Sequence, residues 1–413
     1  MGDKRTVSLV KAGGDGVEGA VRRAVDLCGG MQGVVARGSR VLIKPNLFEP
    51  APSGSGLITD SRVTEAVAKL VLECGPSSVV IGEGSGVGYD FISDRYPDRS
   101  TARCFEASGT ADVARRLGVE FLDLNRAPAA EVEVPDAYVM KRVRVARIAL
   151  ESDCIIGVPV LKTHKRTAIT FSLKNMKGVL SGTEKRKTHR LGLDKAIVDL
   201  NSVVKASFVV ADALACAEGL WEPEDRKELG LIMAGCDPVA VDAVGARLMG
   251  LDPSNVMHIA YAALKGLGVA DLRDIEEVGE AAGTLVPFKT ASQAFAARYP
   301  EVDLVLGQEA CTGCLGEVIG ALSYVRNAGQ GDALKRLVIQ IGGQDEPRAD
   351  GAPFLPVGRC SRQLSNIRTF VPGCPPSEDT VVKGMCAACN VDFDHVRQCR
   401  DQLRAEQWAR SAG

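Results

Sequence analysis

Short apolar runs rich in Val, Ile and Leu recur along the first two-thirds of the chain: TVSLVKA (6–12), RVLIKPNL (40–47), SVVIGEG (78–84) and VEFLDLN (119–125). Runs of this length, with little polar alternation, predict strands covered on both faces, as in a parallel sheet. Between them the apolar spacing turns helical. SRVTEAVAKLVLEC (61–74) follows Asp60 as a capping signal and stops at Gly75-Pro76. The rhythm continues through SDCIIGVPVLK (152–162), LDKAIVDLNSVV (193–204), FVVADAL (208–214), LGLIMAG (229–235) and DPVAVDAVGARLMG (237–250), with a further helix near 255–265. Alternating strands and helices predict an α/β fold built on a doubly wound, mostly parallel sheet.

The pattern lapses over 275–300, which carries Gly283, Pro287 and Pro300 and reads as a connection. Beyond it, LVLGQEA (304–310), LGEVIGALSYVRNAG (315–329), RLVIQIGG (336–343) and NIRTFVPG (366–373) predict a second, smaller α/β unit. The expected organisation is a catalytic or anion-binding domain over 1–275, a connection over 276–300 and a cysteine-rich module over 301–413.

Composition narrows the class without naming it. The chain has 413 residues, 46% hydrophobic and 25% charged, with a formal net charge of -2. That balance gives no bias toward nucleic acid or an acidic membrane surface. Neither a basic-then-apolar leader nor eighteen uninterrupted apolar residues occurs, so the expectation is a cytoplasmic protein that spans no membrane. Self-association stays open.

Local charge changes the picture. From Pro159 to Arg190 nine Lys or Arg face one acid, Glu184. The run begins where the apolar strand GVPVL ends, and in a doubly wound sheet the carboxyl ends of strands open onto the ligand crevice. Thr, Ser and Asn within the run can complete hydrogen bonds to an oxyanion. An electropositive pocket of this kind suits a small carboxylate or phosphate. Lys162, His164 and Lys174 are therefore the candidates for substrate clamp, acid–base group and charge stabiliser. Asn175 adjoins them. At another strand end, RVLIKPNLFEP offers Lys44 and Asn46, followed by PAPSGSG as a mobile cover. The spacing Gly82-x-Gly84-x-Gly86-x-Gly88 is not the dinucleotide fingerprint, though it allows close backbone approach to an anion. Asp212, in VVADALACAEG, is a further candidate for binding cation or substrate, whereas Asp237 is expected to cap a helix. His258, on an apolar helix, reads as a core or interface residue.

Thirteen cysteines are out of place as a disulfide framework in a reducing compartment, so clustered ones point to metal and scattered ones to core packing. Six are scattered; seven fall between Cys311 and Cys399. Cys311-Thr-Gly-Cys314 sits between a strand and a helix, and VPGCPPS places Cys374 at another strand end. Separated loops plus one CxxC pair are what an iron-sulfur cluster needs, and zinc bound by Cys311, Cys314, Cys386 and Cys389 is the competing arrangement. Cys386, Cys389 and Cys399 otherwise read as spectators or a resolving dithiol.

Two resemblances add to this. EACTGC, GRC (358–360) and VPGCPP are similar to the cluster-bearing small subunits of nickel-iron hydrogenases and of respiratory complex I. That resemblance implies Cys311, Cys314, Cys360 and Cys374 as ligands of one [4Fe-4S] cluster on a flavodoxin-like module, and with it a redox partner protein. The gap from Cys360 to Cys374 is shorter than in those subunits. VLIKPNL, ITDSRVTEAV, VVIGEGS, GVPVLKTH, LKNMKG and GCDPVAVDAVGARLMG, in this order, resemble the domain-of-unknown-function family numbered three-six-two, whose members often carry iron-sulfur modules. A remoter similarity to the nickel-pincer racemases sets Lys174 at a site lysine there and implies a hydride-handling pocket. The chain has only four histidines, short of that enzyme's set.

The expectation is thus an iron-sulfur oxidoreductase acting on a small anion. A non-redox isomerase or lyase with a structural cluster, and a non-enzymatic electron or cluster carrier, are its alternatives.

Overall fold

A computed structural model describes residues 4–86, 100–164, 167–181, 184–221, 225–307, 312–342, 351–373 and 376–411. In chain order the described strands are β1 Arg5–Lys11, β2 Arg40–Pro45, β3 Ser78–Glu83, β4 Glu120–Asp123, β5 Ala129–Glu133, β6 Arg142–Ala146, β7 Cys154–Val158 and β8 Lys162–His164. They continue with β9 Ala168–Thr170, β10 Phe208–Ala217, β11 Arg226–Gly235, β12 Ile275–Val278, β13 Asp303–Leu306, β14 Val338–Ile341 and β15 Phe354–Val357.

The first unit, Met1–Phe288, is built on an eight-stranded sheet in the order β12-β1-β11-β10-β7-β2-β3-β4. β2, β3, β4, β7 and β10 pair in parallel, as do β1 and β12. β11 alone runs the other way, against both β1 and β10. The reason is the link: residues 218–225 are too short for a parallel crossover, which takes a dozen or more residues, so β10 and β11 form a hairpin.

Side chains of the central strands alternate between the two faces. Leu42, Val80, Ile155 and Val209 enter one core cluster, and Val41, Ile43, Val79, Ile81, Ile156 and Val210 the other. Both faces of the sheet are covered, which is why these strands read as continuous apolar runs. Helix Ser61–Glu73 starts at Asp60, whose side chain accepts from Arg62 N, and helix Pro238–Leu248 starts at Asp237, which accepts from Val239 N and Ala240 N.

From β2 the chain runs outward to β3 and β4, then returns to place β7 and β10 on the other side of β2. The strand order therefore reverses between β2 and β7, and a crevice opens at the carboxyl ends of the strands at such a switch point. β7 continues past Pro159 into the β8–β9 hairpin, which pairs Lys162 with Thr170.

The stretch expected as a connection over 276–300 carries structure of its own. β12 pairs with β1 from Arg5↔Ile275 to Ser8↔Val278, and helix Ala291–Arg298 opens with a capping box on Thr290 and Gln293. IEEV escapes notice because an edge strand needs one partner only; Glu276 faces solvent, while Glu277 pairs with the distant Arg247 at 2.6 Å.

The second unit, Lys289–Gly413, holds the parallel sheet β13-β14-β15, with helix Thr312–Asn327 between β13 and β14 and helices Glu378–Cys389 and Phe393–Ser411 after β15. No helix among the described residues is long and apolar enough to cross a membrane.

Candidate functional site

A cavity of about 190 Å³ lies at the switch point, lined by residues from six places in the chain. Asn46 and Phe48 follow β2, Glu83 to Gly86 end β3, Lys162 and His164 lie on β8, Thr170 to Gly178 follow β9, and Lys185 and Trp221 close the ring. Lys162, Lys174, Lys177 and Lys185 with His164 face a single described carboxylate, Glu83.

Glu83 is already neutralised. Its Oε1 pairs with Lys44 Nζ at 2.8 Å and accepts from Gly84 N at 2.8 Å, and Oε2 accepts from Leu47 N at 2.8 Å. Lys44 is fully buried; burial pushes its amine below the ordinary value while Glu83 pulls the other way. The pair packs against Gly178. A side chain there would strike Glu83 Oε1 and the Lys44 amine, so this glycine is required by close approach.

Asn175 ties the cradle together. Its Nδ2 donates to Lys44 O at 2.8 Å, and its Oδ1 accepts from Asn46 Nδ2 at 3.3 Å. Asn46 Oδ1 has no hydrogen-bond partner among the described residues, leaving an acceptor at the cavity wall. The short helix Ser172–Asn175 is held from beneath by Asp242, whose carboxylate accepts from Ser172 N at 2.6 Å and Leu173 N at 3.1 Å. Burial raises Asp242 to about 8. Behind it lies His258, fully buried, with Nδ1 3.2 Å from Asp194 and Nε2 3.9 Å from Asp242.

Lys174 donates to Thr170 Oγ1 at 3.1 Å and is enclosed by the cavity walls; burial brings its amine down to about 8, with Asp194 acting the other way. That value puts it within reach of both proton donation and acceptance near neutral pH. Lys162 is 1% exposed, and burial followed by the charge of Lys174 holds its amine well below the ordinary value. It donates to Leu57 O and lies over the rings of Phe48 at 4.1 Å and Trp221 at 4.9 Å. Trp221 is anchored by its Nε1, which donates to Thr163 O at 2.9 Å. His164 Nδ1 accepts from Thr167 N at 3.2 Å, which makes Nε2 the N–H donor of the neutral ring.

Of the residues expected at a site, Lys162, His164, Lys174, Asn46 and Asn175 line this one cavity. Lys44 sits behind it, as the counter-ion of Glu83 rather than at the wall. Asp212 is placed elsewhere in role: its Oδ2 accepts from Asp60 N at 2.7 Å and its Oδ1 from Leu214 N at 2.9 Å, so it clamps backbone and does not line the cavity. Burial raises it to about 7. Sequence reasoning missed Glu83, Phe48, Lys185 and Trp221. Glu83, Phe48 and Lys185 stand in motifs already singled out, VVIGEG, RVLIKPNLFEP and the basic run; nothing local marks Trp221, which arrives from beyond β10.

In the second unit, Cys311 and Cys374 lie outside the described residues. Cys314 and Cys360 converge: their Sγ atoms lie 2.8 and 3.4 Å from where a Cβ on Gly358 would stand, and Gly373 O lies 3.9 Å from the same point. Gly358 has φ +95°, a conformation side chains avoid. Arg359 N donates to Gly373 O at 2.6 Å, fixing the strand end that precedes Cys374. Cys386 and Cys389 are raised to about 11 by burial, which suits packing rather than a reactive dithiol. No group of three or more His, Cys, Asp or Glu able to hold a metal ion occurs among the described residues.

The chain is 27% identical over 255 residues to the thylakoid-associated protein sll1697 of Synechocystis sp., a match covering 60% of this chain and 74% of that protein. Among solved structures it is similar to the lactate racemase apoprotein from Thermoanaerobacterium thermosaccharolyticum, with a TM-score of 0.40 and 12% identity over 82% of this chain and 69% of that one. A protein from Thermotoga maritima matches with a TM-score of 0.37 and 16% identity over 78% and 69% of the two chains. Residues 41–247, which contain every residue lining the cavity, match the family described as Domain of unknown function (DUF362), and the chain belongs to that family.

Proposed function

We propose that the protein is an enzyme that holds a small carboxylate or phosphate in the cavity, moves a proton on it with Lys174, and exchanges electrons with it through one [4Fe-4S] cluster in the second unit. The observation that carries the reading is the charge of the cavity: four lysines and His164 surround a space whose single described carboxylate is already paired with Lys44. An anion entering it meets lysine N–H donors from several chain segments in a partly desolvated setting, where such contacts are strongest.

The chain's own residues supply the rest. Lys177 and Lys185 complement the anionic group, His164 Nε2 offers a neutral hydrogen bond, and Lys174 holds or gives up a proton near its midpoint of about 8. Phe48 and Trp221 wall off one side from water. For the cluster, the convergence of Cys314 and Cys360 on the Gly358 turn, where a Cβ would collide, fits a group held by thiolates, with Cys311 and Cys374 as its remaining ligands. Such a cluster supplies one-electron transfer when bound.

A second reading is favoured by Lys174 alone. An amine poised near neutrality can shift a proton on a carboxylic acid with no net redox change, in which case the cluster is structural and the enzyme an isomerase or lyase. Burial of Lys162 and Lys185 speaks against the third option, a carrier that docks an acidic protein on a solvated lysine face.

Anaerobically purified protein should contain about four irons per chain that bleach on reduction and are lost in Cys314→Ser and Cys360→Ser. Bound zinc without visible absorption would overturn the redox reading. Phosphate or lactate should bind by calorimetry and lose at least tenfold in affinity in Lys174→Ala; unchanged affinity would overturn the site.

A further inference from the structure

Two buried lysines of this site are built for different protonation states. Lys44 Nζ has three acceptors: Glu83 Oε1 at 2.8 Å, Pro45 O at 2.7 Å and Asn175 Oδ1 at 3.5 Å. That matches the three N–H bonds of an ammonium and provides a carboxylate for its charge. Lys162 is as deeply buried but has a single acceptor, Leu57 O, and makes no ion pair with an Asp or Glu among the described residues. Its other neighbours are the ring faces of Phe48 and Trp221 and the like charge of Lys174; burial together with that charge outweighs the opposing pull of the Glu49 and Glu83 carboxylates. As an ammonium it would bury two unmet donors beside another cation, and two ring faces offset only part of that cost. As an amine it donates once and keeps a lone pair.

We infer that Lys162 forms an imine with the carbonyl carbon of a small 2-oxo acid whose carboxylate is held by the neighbouring lysines of the cavity. This rests on the anion-binding reading above and names its substrate class. The Lys162 lone pair attacks the carbonyl carbon, a C–N bond forms, and the oxygen takes a proton from the Lys174 ammonium. The nitrogen, carrying an extra proton after the attack, returns it to the Lys174 amine, and loss of the oxygen as water, with a second proton from solvent, leaves the protonated imine. Amine, carbonyl compound and one proton thus give iminium and water, with no oxidant or reductant consumed. The carboxylate is met by Lys177 and Lys185, which line the same space. Phe48 and Trp221 cover the nitrogen and slow return of water to the imine carbon. The iminium draws electrons from the adjacent carbon and so acidifies its hydrogens, beside a lysine held near the pH where it can take a proton.

The test uses the full chain, glyoxylate as the smallest 2-oxo acid, and sodium cyanoborohydride at pH 7, read by intact mass and peptide mapping. One carboxymethyl group per chain is expected, on the peptide bearing Lys162, with at least a tenfold loss of that label in Lys162→Met. Label spread evenly over surface lysines, equal labelling of urea-unfolded protein, or undiminished single-site labelling in Lys162→Met overturns the inference. Since the variant can fail to fold, the wild-type pH profile is a second measure. Labelling at Lys162 should reach half its plateau well below the pH at which surface lysines do, and coincident profiles overturn it. Lactate, an anion without a carbonyl, separates the two levels: if it binds by calorimetry while Lys162 is not trapped, the imine falls and the anion site stands, and if neither occurs both fall.

Discussion

Gly178→Ala is the sharpest perturbation the cradle offers. The added Cβ would lie on Glu83 Oε1 and on the Cε and Nζ of Lys44, closer than real Cβ atoms approach anything. Neither partner has room to yield: Lys44 is 0% and Glu83 2% exposed, and Glu83 is also fixed by Leu47 N and Gly84 N. Overpacking with the pair intact costs ~1–3 kcal/mol, whereas separating a buried pair costs ~3–5 kcal/mol. The second applies here, so a loss of about 3–5 kcal/mol in the unfolding free energy of the first unit is expected. Gly178 has an ordinary φ, so backbone strain adds nothing. Urea unfolding followed by Trp221 fluorescence in a Trp408→Phe background isolates that unit's transition. In a Lys44→Ala/Glu83→Ala background the same substitution should cost under about 1 kcal/mol, because the atoms it strikes are gone. A loss below about 1 kcal/mol in the parent, or an equal loss in both backgrounds, would refute the reasoning.

Two further outcomes follow from the same geometry. The Lys174 amine is lowered from 10.5 to about 8, so between those values the unfolded chain binds a proton that the folded one does not. Stability should therefore rise with pH across that window by up to ~1.4 kcal/mol per pH unit for one proton, and Lys174→Met should remove that contribution; an unchanged slope in urea unfolding at pH 8, 9 and 10 contradicts it. Asp242→Ala leaves Ser172 N and Leu173 N without their acceptor, at ~1–3 kcal/mol each, and frees the turn that carries Lys174 and Asn175. Unfolding free energy should drop by about 2–6 kcal/mol and phosphate affinity at least tenfold by calorimetry, and retention of both would show that Asp242 does not position the helix.

Much of the architecture is legible in the chain. Strands β2, β3, β7 and β10 stand on the short Val/Ile/Leu runs, because both their faces are covered and no polar alternation is tolerated. Asp60 and Asp237 announce their helices through hydrogen bonds two and three residues away, which local sequence can specify. The antiparallel course of β11 and the edge strand β12 were less visible. The first depends on the length of a link, and the second is a four-residue segment whose only strand partner is β1.

The sequence by itself determined that lysines, a histidine and asparagines gather at strand ends, since residue type and strand position are both local properties. It also determined the periodicity that hides the strands' two faces. Only the tertiary structure decided what each charge does. Lys44 and Lys162 both stand next to strand-end apolar runs, yet one meets Glu83 from β3 and becomes a structural ion pair, while the other packs on Phe48 and Trp221 and forms no ion pair among the described residues. Asp212 looks like Asp242 in sequence, but one clamps the Asp60 turn and the other the helix beneath Lys174. The protonation state of a buried group is set by which distant segments pack against it, and that is decided by the fold rather than by its neighbours in the chain.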